Sequence, residues 1–368
     1  MKIVSANLYK INLPLLSVVK TSYGEMGNKN FILVELENEA GIHGYGECSA
    51  FSIPFYTEEF RDGAYELLKK QLIPLLLKEE IKSPEQIQDL YSGIKRNNMA
   101  KSAIDNAIWD LFAQTENLSL ANYIGGTKKS IQSGISIGIQ NSPSKLIHII
   151  KQALNDGYER IKVKIKPGKD YEYLKFIRQH FPSICLMADA NCAYSLKDID
   201  LFKKMDELNL LMIEQPLEPG DLIHHAKLQF EIKTPICLDE SINSLSDAEA
   251  MLELGSGKII NIKVSKVGGI TSAKEIQNFA MKNNIQCWCG GMYSSGVARA
   301  VDVAIATLPG YTLPNDISAS NHYFSNDIIS PGIELKNGNI EVPTKVGLGV
   351  NLNWKIIKKY TIQSDFVK

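Results

Sequence analysis

The chain has 368 residues, 44% of them hydrophobic, which is enough to bury a large core and, by length, to build two or three domains. Its 40 lysines and arginines stand against 41 aspartates and glutamates, a formal net charge of −1, so there is no basic field to recruit nucleic acid and no acidic arm. No stretch approaches the roughly 20 apolar residues of a membrane helix, and the N-terminal MKIVSANLYKINLPLL lacks the apolar core and cleavage site of a secretion signal, so it reads as mature sequence.

In chain order, residues 2–12, 31–37 and 42–50 alternate apolar and polar side chains, with a turn at 37–41, and predict an antiparallel sheet. Helical periodicity follows over 57–77, 84–96 and 99–115, with Ser83 as N-cap and Pro84 at the first helical position of the second helix. From about residue 131, short apolar runs alternate with amphipathic stretches. The runs are 131–138, 160–165, 184–189, 210–214, 235–239, 259–264 and 285–290, with an eighth near 311–313. Such alternation implies a parallel sheet, and at this length a closed (β/α) barrel. In the tail, Lys336-Asn337-Gly338 between extended runs reads as a hairpin that returns to the N-terminal sheet. The expected class is α/β: a modified (β/α) TIM-type barrel (126–325) with an α+β capping domain (1–125), completed by the C-terminal tail (326–368).

Six cysteines form no C-x-x-C pair, which disfavours zinc-ribbon and thioredoxin-like sites. Cys287 and Cys289, two apart in an apolar run, read as small buried hydrophobes. Scattered cysteines in a chain of this length fit a reduced, cytoplasmic protein.

Charged residues end one barrel strand after another: Lys164, Asp189, Glu214, Asp239 and Lys263. The intervals are 25, 25, 25 and 24 residues, about one strand–helix unit each. A lone carboxylate at a strand end is usually a helix cap; five charged residues in barrel register ring one mouth of the barrel. Three adjacent carboxylates there need a cation, and oxygen ligands favour Mg²⁺ or Mn²⁺, with Asp189, Glu214 and Asp239 as the metal ligands. Such an ion binds a substrate carboxylate and stabilises the charge formed when the neighbouring carbon loses a proton. Lys164 and Lys263 would approach a small carboxylate substrate from opposite faces. Lys162, on the same strand face as Lys164, would help depress its pKa. Asn191 and Glu240 are read as support for these residues or as plain caps.

These residues resemble the enolase superfamily, in particular its muconate-lactonizing subgroup. The likeness is carried by Lys162-x-Lys164, Asp189-Ala-Asn191, Glu214-Gln-Pro, Asp239-Glu240-Ser and Asn261-Ile-Lys263. Lys164-Ile-Lys-Pro-Gly168, Cys289-Gly-Gly-Met292, and Leu308-Pro-Gly-Tyr-Thr-Leu-Pro through Asp316-Ile-Ser-Ala-Ser320 are similar to the o-succinylbenzoate synthases and the N-succinylamino acid racemases. The resemblance implies that Lys164 is the base and that Lys263 is the cation steadying the enolate in a synthase, or a second base in a racemase. It implies substrate contacts at Ser136, Gly291 and Met292, a lid at loop 17–30 with Gly24 and Gly27, and a homo-oligomer, dimer or octamer. The chain departs from the racemase pattern at Val264-Ser265-Lys266, where Pro-Gly-Arg is usual, and carries Asp316 alone where epimerases have Asp-x-Asp. A Schiff-base lyase would leave the carboxylates without a task, and a non-catalytic binding protein would carry an unpaired acidic ring at a cost in stability.

Overall fold

A computed structural model describes residues 1–21, 24–140 and 142–368. The first sheet is antiparallel and four-stranded. β1 (Ile3–Thr21) and β2 (Gly24–Asn38) form a long hairpin, β3 (His43–Cys48) lies beside β2, and the C-terminal strand lies beside β1. Alternation buries Ile32, Val34 and Leu36 of β2 against the helix Asn98–Thr115 and its neighbours. Gly44 and Gly46 of β3 let that helix approach: a Cβ would meet the Ala107 carbonyl oxygen at 2.4 Å and that of Ala103 at 1.9 Å.

The second sheet is parallel and seven-stranded, preceded by the short β4 (Ser130–Gln132). Its members are β5 (Gly134–Ile137), β6 (Arg160–Lys164), β7 (Cys185–Asp189), β8 (Ile213–Glu214), β9 (Ile236–Leu238), β10 (Ile259–Ile262) and β11 (Gln286–Cys289), adjacent in chain order. The eighth run makes isolated bridges rather than a strand. Tyr311 bridges Cys287 and Asn315 bridges Ser133, so residues 311–315 still join β11 to the start of β5 and close the ring. Met187, Met212, Cys237, Ile259 and Trp288 fill a small apolar core separate from the main one. Cys287 and Cys289 are buried, as expected. Ser142, Asp221, Ser244 and Ser295 cap helices that follow barrel strands, each accepting a backbone N–H from the first turn.

Several local expectations are corrected. The helix expected over 57–77 starts at Arg61 and passes through a π turn, Leu68–Leu72, while 51–58 is irregular. The helix expected over 84–96 is the single turn-and-a-half Gln86–Leu90; its N-cap is Glu85, not Ser83, because Ser83 and Pro84 form a tighter preceding turn with carbonyls bonded three residues on. The 333–342 hairpin does not reach the N-terminal sheet. Its strand β12 (Asn339–Glu341) pairs with β4, and β13 (Thr361–Val367) is the strand that pairs with β1. Segment 17–30 is mostly strand, not loop, with Val19 opposite Met26 and Thr21 opposite Gly24; Ser22 and Tyr23 lie outside the described residues.

Candidate active site

Register explains how the charged ring forms. Lys164 pairs with Asp189, and Asp189 with Glu214, in line across β6, β7 and β8. From there each strand advances by two: Glu214 pairs with Cys237 rather than Asp239, and Leu238 pairs with Ile260. Tilted strands of a closed eight-membered barrel need such stagger, roughly one residue per strand on average. The near-constant 25-residue spacing therefore places the five side chains around one mouth although their ladder partners shift.

Asp189, Glu214 and Asp239 are buried, and the two lysines flank them. Lys164 donates from Nζ to Asp189 Oδ2 and to Asn191 Oδ1, both at 2.6 Å. Lys263 donates to Asp239 Oδ2 and to the Tyr56 hydroxyl, both at 2.7 Å. Lys162 lies between Asp316 (2.9 Å), Glu214 (3.2 Å) and Asp189 (3.3 Å), with its ammonium 5.1 Å from the Trp288 ring centre. Asn191, at φ +40°, donates from its backbone N–H to Asp189 and from its side chain to Glu240. Asn191 thus supports the ring directly, and Glu240 supports it through Asn191. Lys266 is buried; it donates to the backbone carbonyls of Asp239 (2.5 Å) and Ile242, so it braces the Asp239 turn rather than facing Lys263.

A cavity of about 620 Å³ opens over these groups. Lys162, Lys164, Asn191, Lys263 and Asp316 line it, as do the expected substrate-contacting residues Ser136, Gly291 and Met292. The capping domain closes one side with Leu15, Ser17, Met26, Phe51 and Tyr56.

A family model described as mandelate racemase / muconate lactonizing enzyme, N-terminal domain, matches residues 4–125, and one described as enolase C-terminal domain-like matches residues 145–356. The chain belongs to the enolase superfamily. This superfamily member is 48% identical over 360 residues to an o-succinylbenzoate synthase of Listeria innocua, covering 98% of this chain and 96% of the relative. It is 39% identical over 367 residues to an N-succinylamino acid racemase of Thermus thermophilus, covering 100% and 99%. A solved enolase-superfamily structure from Listeria innocua matches with a TM-score of 0.98 at 47% identity, over 100% of this chain and 99% of the other.

Electrostatics in this enolase-superfamily site follow burial and mutual repulsion. Burial and the neighbouring Asp189 push the Glu214 carboxyl up to about 8, despite Lys162. Burial and Asp239 raise Glu240 to about 7, and one of its buried oxygens has no hydrogen-bond partner among the described residues. A divalent cation suits this surplus of buried, oxygen-only charge. Yet among the described residues no three His, Cys, Asp or Glu side chains converge as a metal cage, because ammonium groups stand between the carboxylates. The expectation of a depressed Lys164 pKa is also corrected. Burial pulls it down most, and Lys162 adds to that, but Asp189 at 2.6 Å together with Tyr293 and Glu214 leaves it above the usual lysine range.

Tyr56, Trp288 and Arg160, whose guanidinium lies 3.6 Å from Asp316, are site residues that the sequence pattern did not mark, and Asn261 was marked only as part of a motif, with no role. Asn261 donates to Glu214 at 2.8 Å, and Gly290 leaves room for it: a Cβ there would meet its Oδ1 at 2.2 Å. The role of Asn261 could have been found, since it lies two residues before Lys263 on the same strand face. Tyr56 carries no such signal, because it sits in irregular chain.

Proposed function

We propose that the protein is an o-succinylbenzoate synthase, a lyase that dehydrates a succinyl-hydroxycyclohexadiene carboxylate to its aromatic product in menaquinone synthesis. The observation that carries this is the pair Lys164 and Lys263 flanking Asp189, Glu214 and Asp239 at the mouth of a small-molecule cavity, in a chain so similar to a synthase over nearly its full length. Lys164, in its neutral form, takes the proton α to the carboxylate and returns it to the departing hydroxyl on the same face, so the substrate loses one water and the ring becomes aromatic. Lys263, held by Asp239 and Tyr56, stays protonated and steadies the negative charge.

Members of the superfamily are generally Mg²⁺-dependent. Asp189, Glu214 and Asp239 would hold Mg²⁺, or Mn²⁺ in its place, and the ion would neutralise charge gathering on the substrate carboxylate while competing with Lys164 for Asp189. The capping hairpin 17–30 serves as the lid, since Ser17, Val18, Glu25 and Met26 line the cavity. The capping domain spans 1–125, the barrel 126–325 and the tail 326–368, whose β13 pairs with β1 of the capping sheet. Scattered cysteines with no C-x-x-C pair support a cytoplasmic setting, and exposed Ile223 and Phe230 on one outer barrel helix accord with a homo-oligomer. No helix among the described residues is long and apolar enough to cross a membrane.

Racemisation of N-succinylamino acids is the second reading, favoured by the likeness to the Thermus thermophilus racemase. The test is loss of diene absorbance when the cyclohexadiene precursor meets purified protein, with Mg²⁺ and with EDTA. Mg²⁺-dependent loss supports the synthase. Inert diene, with proton exchange at the α-carbon of N-succinylamino acids, would move the assignment to the racemase.

A further inference from the structure

Lys29 of β2 is completely buried. Its ammonium donates to the carbonyls of Ser49 (3.1 Å) and Met292 (2.9 Å) and stands 4.8 Å from the centre of the Phe51 ring. A buried ammonium ordinarily takes a carboxylate as partner, since its desolvation is costly. Here two main-chain carbonyls and an aromatic face hold it, with Glu47, Cys48 and Asp302 acting at longer range.

The two carbonyls belong to adjoining walls of the cavity, one from each domain. Ser49 leads into Phe51 of the capping domain, and Met292 lies in the loop after β11; Phe51 and Met292 both line the cavity. The Met292 carbonyl and the Tyr293 N–H share one rigid peptide plane and point opposite ways. Tyr293 sits at φ +55°, a conformation an aromatic residue keeps when its surroundings enforce it. Among the described residues, the N–H groups of Gly291, Met292 and Tyr293 donate to no protein acceptor. Nearby, Ser295 N–H donates to Glu47 Oε2 at 3.2 Å, a second tie between the same two walls.

We propose that Lys29 is a positioning residue: it fixes the Met292–Tyr293 peptide from the capping domain, so that the free amides of Gly291–Tyr293 are presented to the carboxylate substrate. This rests on the reading of the cavity as the site of carboxylate chemistry. Seating of the capping domain thereby sets one wall of the substrate site, through a lysine that touches no substrate itself.

The experiment compares full-length wild type with Lys29→Met. Hydrogen exchange followed by mass spectrometry, without substrate, should show the hydrogen-bonded amides that flank the free ones, Gly290 and Ser295, exchanging at least tenfold faster in the variant while those of β7 stay unchanged. Steady-state turnover of the diene should show KM raised at least tenfold with kcat within threefold, a split that a general loss of packing would not give. Should Lys29→Met not fold, Lys29→Gln, which keeps an uncharged NH2 donor, should shift both readouts in the same direction by less. Unchanged exchange in a wild type that turns over the diene overturns the clamp and leaves the synthase reading standing. Faster exchange with unchanged KM also overturns it. Faster exchange in a protein whose wild type ignores the diene upholds the clamp and removes the synthase reading.

Discussion

The Tyr56 hydroxyl accepts from Lys263 Nζ at 2.7 Å and donates to the Asp239 carboxylate, at 3.1 Å to the nearer oxygen. One side chain of the capping domain thus reaches 207 residues along the chain to hold the Lys263 ammonium and a carboxylate of the acidic ring together. Tyr56→Phe keeps the ring beneath the ammonium and removes the hydroxyl. A hydrogen bond to a charged group contributes about 1.5–3 kcal/mol, so the melting temperature should fall by a few degrees and kcat by roughly 10- to 100-fold. Steady-state kinetics and calorimetry check it; an unaltered kcat would remove Tyr56 from the mechanism.

Lys164→Ala and Lys263→Ala should each lower diene turnover by about 10³-fold or more, while circular dichroism shows a native fold. The two should differ in one respect. Lys164→Ala should also stop washout of the α-proton into deuterated solvent, because it removes the proposed base. Washout persisting at the wild-type rate would give the base to another group.

Asp239→Asn should weaken Mg²⁺ binding at least tenfold by isothermal titration calorimetry, and EDTA should abolish turnover of the wild type. Glu214→Gln should act in the same direction. Its carboxyl, raised to about 8 by burial and by Asp189, should also make Mg²⁺ affinity increase from pH 6 towards 8, since the cation competes with that proton. Affinity flat over this range would separate Glu214 from the metal.

Lys29 makes a stability prediction with a definite sign. Burial lowers its pKa from 10.5 to about 8. Between those values the unfolded chain binds more protons at this residue than the folded one, so stability rises with pH. Relative to Lys29→Met, the wild type should gain about 2 kcal/mol between about pH 7.5 and 9.5, read as the difference of urea midpoints. The opposite slope would mean that the folded state holds this proton more tightly than water does.

Much of the architecture was legible because barrel units repeat. The 25-residue intervals carried Lys164, Asp189, Glu214, Asp239 and Lys263 to one rim whatever the exact strand ends, and period-two alternation marked the capping sheet. The destination of the tail was not legible. Lys336-Asn337-Gly338 announces a turn but not which strand it meets; β12 went to β4, and the unremarked run 361–367 went to β1. Turn chemistry is local, whereas strand partners are chosen by long-range packing.

The sequence by itself determined the chemistry on offer: three carboxylates, two lysines and the spacing that gathers them, because side-chain type and strand period are properties of the chain alone. The tertiary structure decided which of those charges touch. It set Asp189 on Lys164, turned Lys266 onto the Asp239 backbone, and brought Tyr56 and Lys29 to partners 207 and 263 residues away. Contacts between segments so distant depend on how two domains pack, and no local pattern encodes that.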